Sequence, residues 1–374
     1  MMHARTVTIC LAGDVMTGRG VDQILAHPSA PELHETWVTD AREYVRLAEQ
    51  ASGPVPRGVA AEYIWGDALA ECDRREPAAR LVNLETSVTR RDEYEPKGIN
   101  YRMHPDNVAC LAAARIDVCV VANNHVGDYG RLGLVETLET LERASIRAVG
   151  AGHTRDDAAA PVVHRLPDGG RLIIAACAHA SSGVPEHWAA TADTPGVSLL
   201  AELSDRTADE VAARVTRVRA PGDVAVVSVH WGDNWGYDVP RSHVDFAHRL
   251  VDGGIDIVYG HSSHHVRPIE VYRDRLILYG CGDLIDDYEG IAGHEAYRDD
   301  LVLLFFPSVS GVSGALLALE MVALQVRRMR LARATAEDAR WLSDTVNRTS
   351  RPFGTTVALT AAGVLRWHRP QASA

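Results

Sequence analysis

Several features that would assign a function at once are missing from this sequence. It has no lysine- or arginine-rich block, and 38 basic residues face 50 acidic ones, for a net charge of −12. Binding a phosphate backbone needs clustered positive charge, so a nucleic-acid partner is disfavoured. The acidic surplus favours solubility without naming a partner. The six cysteines (Cys10, Cys72, Cys110, Cys119, Cys177 and Cys281) include no C-x-x-C pair. Most lie in apolar runs such as 116–121 and 172–178, where Cys acts as a small hydrophobe, so they read as reduced core residues of a cytosolic chain. No basic segment followed by a separate apolar stretch and cleavage site opens the chain, which runs almost directly into a strand. The most apolar late stretch, 314–326, carries Glu320 and is too short to span a bilayer. The expectation is a cytoplasmic protein without a membrane partner.

Neither a long linker nor an internal repeat is visible. A chain of 374 residues can hold two domains, but layered α/β folds of this size are often one. With 46% hydrophobic residues a large core can form. We therefore expect a single domain over 1–374, with a helical insertion at 26–58 near the pocket and C-terminal strands and a helix over 309–374 packed on it. The tail after Trp367 is expected to be loose. Short runs rich in Val, Ile and Leu predict strands at 6–12, 80–84, 117–122, 146–150, 172–178, 224–230, 255–260, 267–272 and 276–279. Helical patterns fall between them at 104–114, 132–144 and 241–252, with another at 335–347 opened by Thr335 and Asp338. This alternation predicts a layered α/β fold with mixed sheets flanked by helices.

The strands end in metal-type ligands. The first runs into Gly13-Asp14, the second into Asn83-Leu84-Glu85 and the third into Asn123-Asn124-His125. Later strands run into His230-Trp231-Gly232-Asp233 and into Gly260-His261, followed by Ser262-Ser263-His264-His265. Open α/β sheets place their sites at the carboxyl ends of strands. One strand-then-His junction is explained by a capping histidine; five junctions carrying Asp, Glu, Asn and His together point to a metal site of Asp14, Glu85, Asn124, His230 and His261. His264 is a further candidate ligand. The oxygens suit Ca²⁺, Mg²⁺ or Mn²⁺ and the histidine nitrogens Mn²⁺, Fe²⁺ or Zn²⁺.

More histidines are present than one metal needs. His125, His264, His265 and His294 are candidates for acid–base work because a His pKa lies near operating pH. Asp14, Asp233, Asp283, Asp286 and Asp287 are placed to orient them, with Asp14 also counted among the catalytic candidates. His264 or His265 can equally serve only to bond a loop. Arg19, between Gly18 and Gly20, reads either as a holder of an anionic substrate group or as a turn residue. Trp235, with Trp231 and Tyr237, reads either as the lining of a peptide pocket or as packing.

In this order the motifs Gly13-Asp14-Val15-Met16, Asn83-Leu84-Glu85, Asn123-Asn124-His125, His230-Trp231-Gly232 and Gly260-His261 resemble the CapA family, named for poly-γ-glutamate synthesis, over about residues 6–305. The resemblance implies a calcineurin-like metallophosphatase fold. Such dinuclear enzymes usually begin with Asp-x-His and end with Gly-His-x-His. Here Met16 and Ser263 stand at the histidine positions, Glu85 replaces an Asp and Asn123 a Gly. One divalent metal rather than two is therefore expected. Within the group the sequence is similar to soluble epimerases of lasso-peptide pathways, which implies inversion of the Cα of a peptide's C-terminal residue by His/Asp acid–base catalysis. Calcium is the ion expected on that reading, and manganese, magnesium or zinc otherwise. Two alternatives are weighed beside it. A metal-dependent phosphoesterase would use His125 as the acid, but the missing ligand positions count against it. A capsule component binding poly-γ-glutamate is disfavoured by the net charge of −12, which repels a polyanion.

Overall fold

Runs of β-branched and aliphatic residues buried on both faces make the strands, and amphipathic segments between them make the helices. The computed structural model describes residues 5–369. After a short strand at Thr6–Thr8 come β1 (Cys10–Val15), α1 (Arg19–Ile24), α2 (Arg42–Ser52), α3 (Asp67–Arg75), β2 (Arg80–Leu84), β3 (Val118–Val120), α4 (Gly130–Arg143) and β4 (Arg147–Val149). Then follow β5 (Arg171–His179), α5 (Asp205–Val218), β6 (Val224–His230), α6 (Arg241–Asp252), β7 (Ile257–His261), β8 (Ile269–Tyr272), β9 (Arg275–Leu278) and β10 (Asp283–Ile285). β11 (Leu301–Ser310), β12 (Leu316–Val326), α7 (Ala336–Ser350) and β13 (Val364–His368) complete the set used below.

The strands form two large mixed sheets, as the alternating pattern predicts. One runs β13-β12-β11-β1-β2-β3-β4, with β10 added beside β1. The other runs β5-β6-β7-β9-β8. The strands that carry the motifs, β1, β2 and β3 in the first sheet and β6 and β7 in the second, are parallel to their motif-bearing neighbours. Side chains alternate across the second sheet: Leu172, Ile174 and Ala176 join the large core shared with the first sheet, while Ile173, Ala175 and Cys177 pack on α5 and α6. The Tyr259 hydroxyl on β7 donates to the Ala12 carbonyl on β1, tying the two sheets beneath the site. All six cysteines are buried and free.

Most expected elements shift by a few residues at an end, and two differ further. The strand expected at 6–12 divides: Thr6–Thr8 pairs antiparallel with β11, and β1 continues through Asp14 to Val15. At Gly13 an added Cβ would lie 1.8 Å from the Gly282 carbonyl oxygen, which accepts the Asp14 N–H at 2.9 Å. Only a glycine allows that approach. The helix expected at 104–114 is a 3₁₀ turn, Pro105–Val108, followed by a short α-helix, Ala109–Ala113. Asn107 bonds Asp22 and the His27 carbonyl, and these tertiary partners override the local pattern. Thr335 caps α7 by accepting the Asp338 N–H, as expected. The loose tail expected after Trp367 lies, from residue 370 on, outside the described residues. Among the described residues no helix is long and apolar enough to cross a membrane.

One buried histidine belongs to the fold rather than to the site. His243 on α6 stacks on Trp231 with ring centroids 4.6 Å apart. Burial and then the Arg267 charge push it down to about 4. An unfolded histidine titrates near 6.5, so between pH 6.5 and 4 the unfolded chain holds a proton that the folded chain refuses. Stability contributed here is present above that window and is lost as pH falls through it, by up to about 3 kcal/mol. Guanidinium unfolding at pH 7 and pH 4.5 should show His243→Phe losing less stability than wild type; equal losses would remove His243 from the account.

Candidate metal centre and flanking cleft

The parallel register of the strands brings the motif residues together. In β1 and β2 Asp14 lies opposite Asn83, and in β6 and β7 His230 lies opposite His261. Asp14, Glu85 and His230 each offer a ligand atom within 4.8 Å of the others, and all three are buried. His230 Nε2 is 2.9 Å from Asn124 Oδ1 and 3.9 Å from Glu85 Oε1. His261 Nδ1 is 2.7 Å from Asp14 Oδ1. Ser262, with φ at +99°, holds its N–H 3.3 Å from Asp14 Oδ2 and donates its hydroxyl to the Gly232 carbonyl. A non-glycine residue at that φ is strained, and such strain collects at functional sites.

Two asparagines brace the centre, a role the sequence reading did not give them. Asn83 Nδ2 donates to Asp14 Oδ1 at 2.8 Å and to Glu85 Oε2 at 3.0 Å. Asn123 donates to Asn83 Oδ1 and to the Leu84 carbonyl, and its own Oδ1 accepts the N–H groups of His125 and Val126. Asn123 thus sets the turn that presents Asn124 and His125.

The donor set fits a divalent cation on two observations. First, negative charge exceeds positive at the centre: histidines are the only ion-pair partners of Asp14 and Glu85 among the described residues. Burial, and then the Asp14 charge, lifts Glu85 well above the usual carboxylate range. Burial acts the same way on Asp14, but the His261 bond and charge outweigh it and hold that carboxyl low. Second, His230 Nδ1 and His261 Nε2 are buried without a hydrogen-bond partner. Buried polar nitrogens ordinarily have one. Glu85, Asn124 and His230, beside Asp14 and His261, are the residues that would hold the ion.

Two histidine–carboxylate pairs lie beside this centre; their histidines follow strands of different sheets, and Asp283 comes from β10 of the first. His125, after β3, has Nδ1 2.7 Å from Asp128 Oδ2, and Lys97 pairs with Asp128 Oδ1 at 2.7 Å. Burial and then the Lys97 charge push His125 well below its ordinary value, while burial lifts Asp128 to about 7 against the pull of Lys97. His264, after β7, has Nδ1 3.0 Å from Asp283 Oδ2 and Nε2 2.9 Å from Asn234 Nδ2. Burial opposes its protonation, but the Asp283 charge wins and His264 is raised. A tyrosine bridge joins the pairs: Tyr101 stacks on His125 at 3.8 Å, Tyr288 meets His264 edge-on at 5.1 Å, and the two hydroxyls are 2.7 Å apart.

A cleft of about 730 Å³ opens over His264, Tyr101 and Tyr288. Trp235 and His294 form part of its wall, stacked at 3.7 Å. Arg19 lies at its base, buried, ion-paired to Asp287 and to Glu35, with its guanidinium over the Tyr44 ring. His264 is not among the three residues of the Asp14–Glu85–His230 cluster, and both its ring nitrogens are engaged by Asp283 and Asn234. His265 is turned into a loop: Nε2 accepts the Gly236 N–H and Nδ1 lies against the Val266 carbonyl. Lys97, Asp128 and Tyr101 were not singled out in the sequence. Lys97 carried a usable signal, since it is the only lysine in the chain.

Comparison with known proteins agrees with these motifs. The family described as "Bacterial capsule synthesis protein PGA_cap" matches residues 8–288. A probable polyglutamine synthesis accessory protein of Mycobacterium tuberculosis is 51% identical over 93% of this chain and 92% of its own length. The PGA biosynthesis protein CapA of Bacillus subtilis is 27% identical over 74% of this chain and 62% of its own. A solved phosphatase from Mycoplasma pneumoniae aligns over 86% of this chain and 95% of its own, with a TM-score of 0.49 and 9% identity, too distant a likeness to assign an activity. The chain belongs to the bacterial capsule synthesis protein family, the CapA family whose motifs close its motif-bearing strands.

Proposed function

We propose that this chain is a metal-dependent member of the capsule-synthesis family that carries out acid–base chemistry on a peptide-type substrate, inverting the Cα of a C-terminal residue. The observation that carries the reading is the pair of histidine–carboxylate units, His125–Asp128 and His264–Asp283, whose histidines follow strands of different sheets and which the Tyr101–Tyr288 bridge joins. Inversion needs a base on one face of the Cα–H and an acid on the other. His125, disposed to be neutral, accepts the proton; His264, disposed to be protonated, delivers one. Asp128 and Asp283 fix the orientation of the two rings. Asp14, Glu85, Asn124, His230 and His261 would hold a divalent cation, which would supply stabilisation for negative charge at the substrate carboxyl or carbonyl. One ion is proposed, calcium on this reading. The reading places the protein in the cytoplasm, with a peptide and neither nucleic acid nor membrane as its partner.

Family membership favours a second reading, a part in PGA or capsule synthesis, as the names of the relatives have it, with oligoglutamate as the polymer to test. Both readings meet in one experiment. The purified protein is incubated in D₂O with a linear peptide and, separately, with oligoglutamate, with and without chelator, and each product is read by mass spectrometry and chiral analysis. Chelator-sensitive deuterium at one Cα of the peptide is expected. Deuterium in neither substrate from a folded, metal-loaded protein removes the acid–base reading, and deuterium in oligoglutamate alone gives the site to the polymer.

A further inference from the structure

The mouth of the cleft differs from its floor. Trp37 is 93% exposed, Ile99 46% and Ile291 38%, and all three line the same opening. They come from three separate loops: one before α2, one between β2 and β3, and one after β10. Among the described residues seven large hydrophobic side chains are exposed, so three of the seven gather at this rim. Isolated exposed apolar residues are ordinary on a surface, but a group around a cleft marks a binding site.

The charges at the opening point to the kind of ligand. Arg19 is the only arginine or lysine in the lining, and Asp287 and Glu35 already hold it. Glu35 and Asp299 line the same cleft. A glutamyl polymer carries a carboxylate on every residue and would find no free cation here. An uncharged apolar segment would instead cover the Trp37 indole and the two isoleucines, removing that surface from water.

We propose that Trp37, Ile99 and Ile291 form a subsite that seats an uncharged, apolar segment of a peptide whose C-terminal end reaches into the cleft toward His264, and that this subsite selects against polyglutamate. The inference rests on the peptide reading of the site given above. The segment is recognised by its lack of charge and its apolar side chains rather than by any one residue.

Calorimetric titration tests this without requiring turnover. The probes are a hexapeptide of leucine, alanine and glycine with a free C-terminus, and hexaglutamate. The proteins are wild type, Trp37→Ala and, as a control outside the cleft, Val312→Ala, whose side chain is also exposed. The apolar peptide should bind wild type and Val312→Ala alike and bind Trp37→Ala about tenfold more weakly, the effect of losing an aromatic anchor. Hexaglutamate should not bind. Equal or tighter binding of hexaglutamate, unchanged binding to Trp37→Ala, or binding of neither probe overturns the inference. If the apolar peptide binds with this Trp37 dependence but takes up no deuterium, the reaction proposed above falls and the subsite stands. If deuterium enters the peptide while Trp37→Ala binds it normally, the reaction stands and the subsite falls.

Discussion

A Glu85→Gln protein is expected to fold, to lose its response to divalent metal and to exchange Cα–H about 10³-fold more slowly than wild type. The substitution keeps the shape of the side chain and removes one charge from a place where charge is costly. Glu85 is buried, and Asp14 is close enough to press its carboxyl upward. Without a cation that repulsion opposes folding, so the metal-free variant should be no less stable than metal-free wild type. With a cation the balance reverses. Wild type gains about 2.7 kcal/mol at a metal concentration a hundred times the dissociation constant, because only the folded state binds. Glu85→Gln should gain almost none of this, because Asn124, His230 and His261 are neutral donors and leave Asp14 as the sole anionic one. Thermal unfolding with and without added calcium or manganese, together with metal content by mass spectrometry, separates the two effects. A variant that takes up metal and is stabilised like wild type would remove Glu85 from the centre.

The metal centre was more legible in the sequence than its surroundings, for a physical reason. Each candidate ligand ends an apolar run, and a strand buried on both faces announces itself by composition, so 80–84 and 224–230 are read to the residue. Parallel pairing then brings such ends together whichever strand is the neighbour. Mixed sheets are expected from the alternation, but composition does not say which strand pairs with which or which sheet each strand joins. The bracing bonds, local and tertiary, leave no periodic trace: Asn83 joins Glu85 two residues on and Asp14 across the sheet, Asn123 shapes the next turn, Asp128 meets His125 three residues back, and Lys97 reaches Asp128 from a separate loop. His264 and His265 are neighbours in sequence, yet one faces Asp283 and the other the Gly236 backbone. Only the path of the chain after β7 distinguishes them. The short helix α1 was missed because Gly20 and its six-residue length give little local preference; it is held by Asp287, which accepts the Gly20 N–H and pairs with Arg19.

Replacing the two candidate bases one at a time should give opposite stereochemical defects. His125→Gln and His264→Gln each keep a hydrogen-bonding side chain, so neither Asp128 nor Asp283 is left buried without a donor. That matters because Asp283 is almost fully enclosed, and removing its partner outright would cost stability of about 3 kcal/mol or more. Inversion needs both histidines, so each variant should lose it by roughly 10²–10⁴-fold. Exchange needs only one. The histidine that remains can still remove the Cα proton from the enantiomer that faces it and return deuterium from the same side. In D₂O, His125→Gln should therefore label one enantiomer of the peptide without inverting it, and His264→Gln should label the other. The surviving enantiomer in each case identifies the face that the histidine serves. A structural role for either residue predicts something else, an equal loss of labelling from both enantiomers that tracks loss of folded protein. Equal loss in a variant whose unfolding transition and metal content match wild type would therefore overturn the two-base assignment, as would full inversion by either variant.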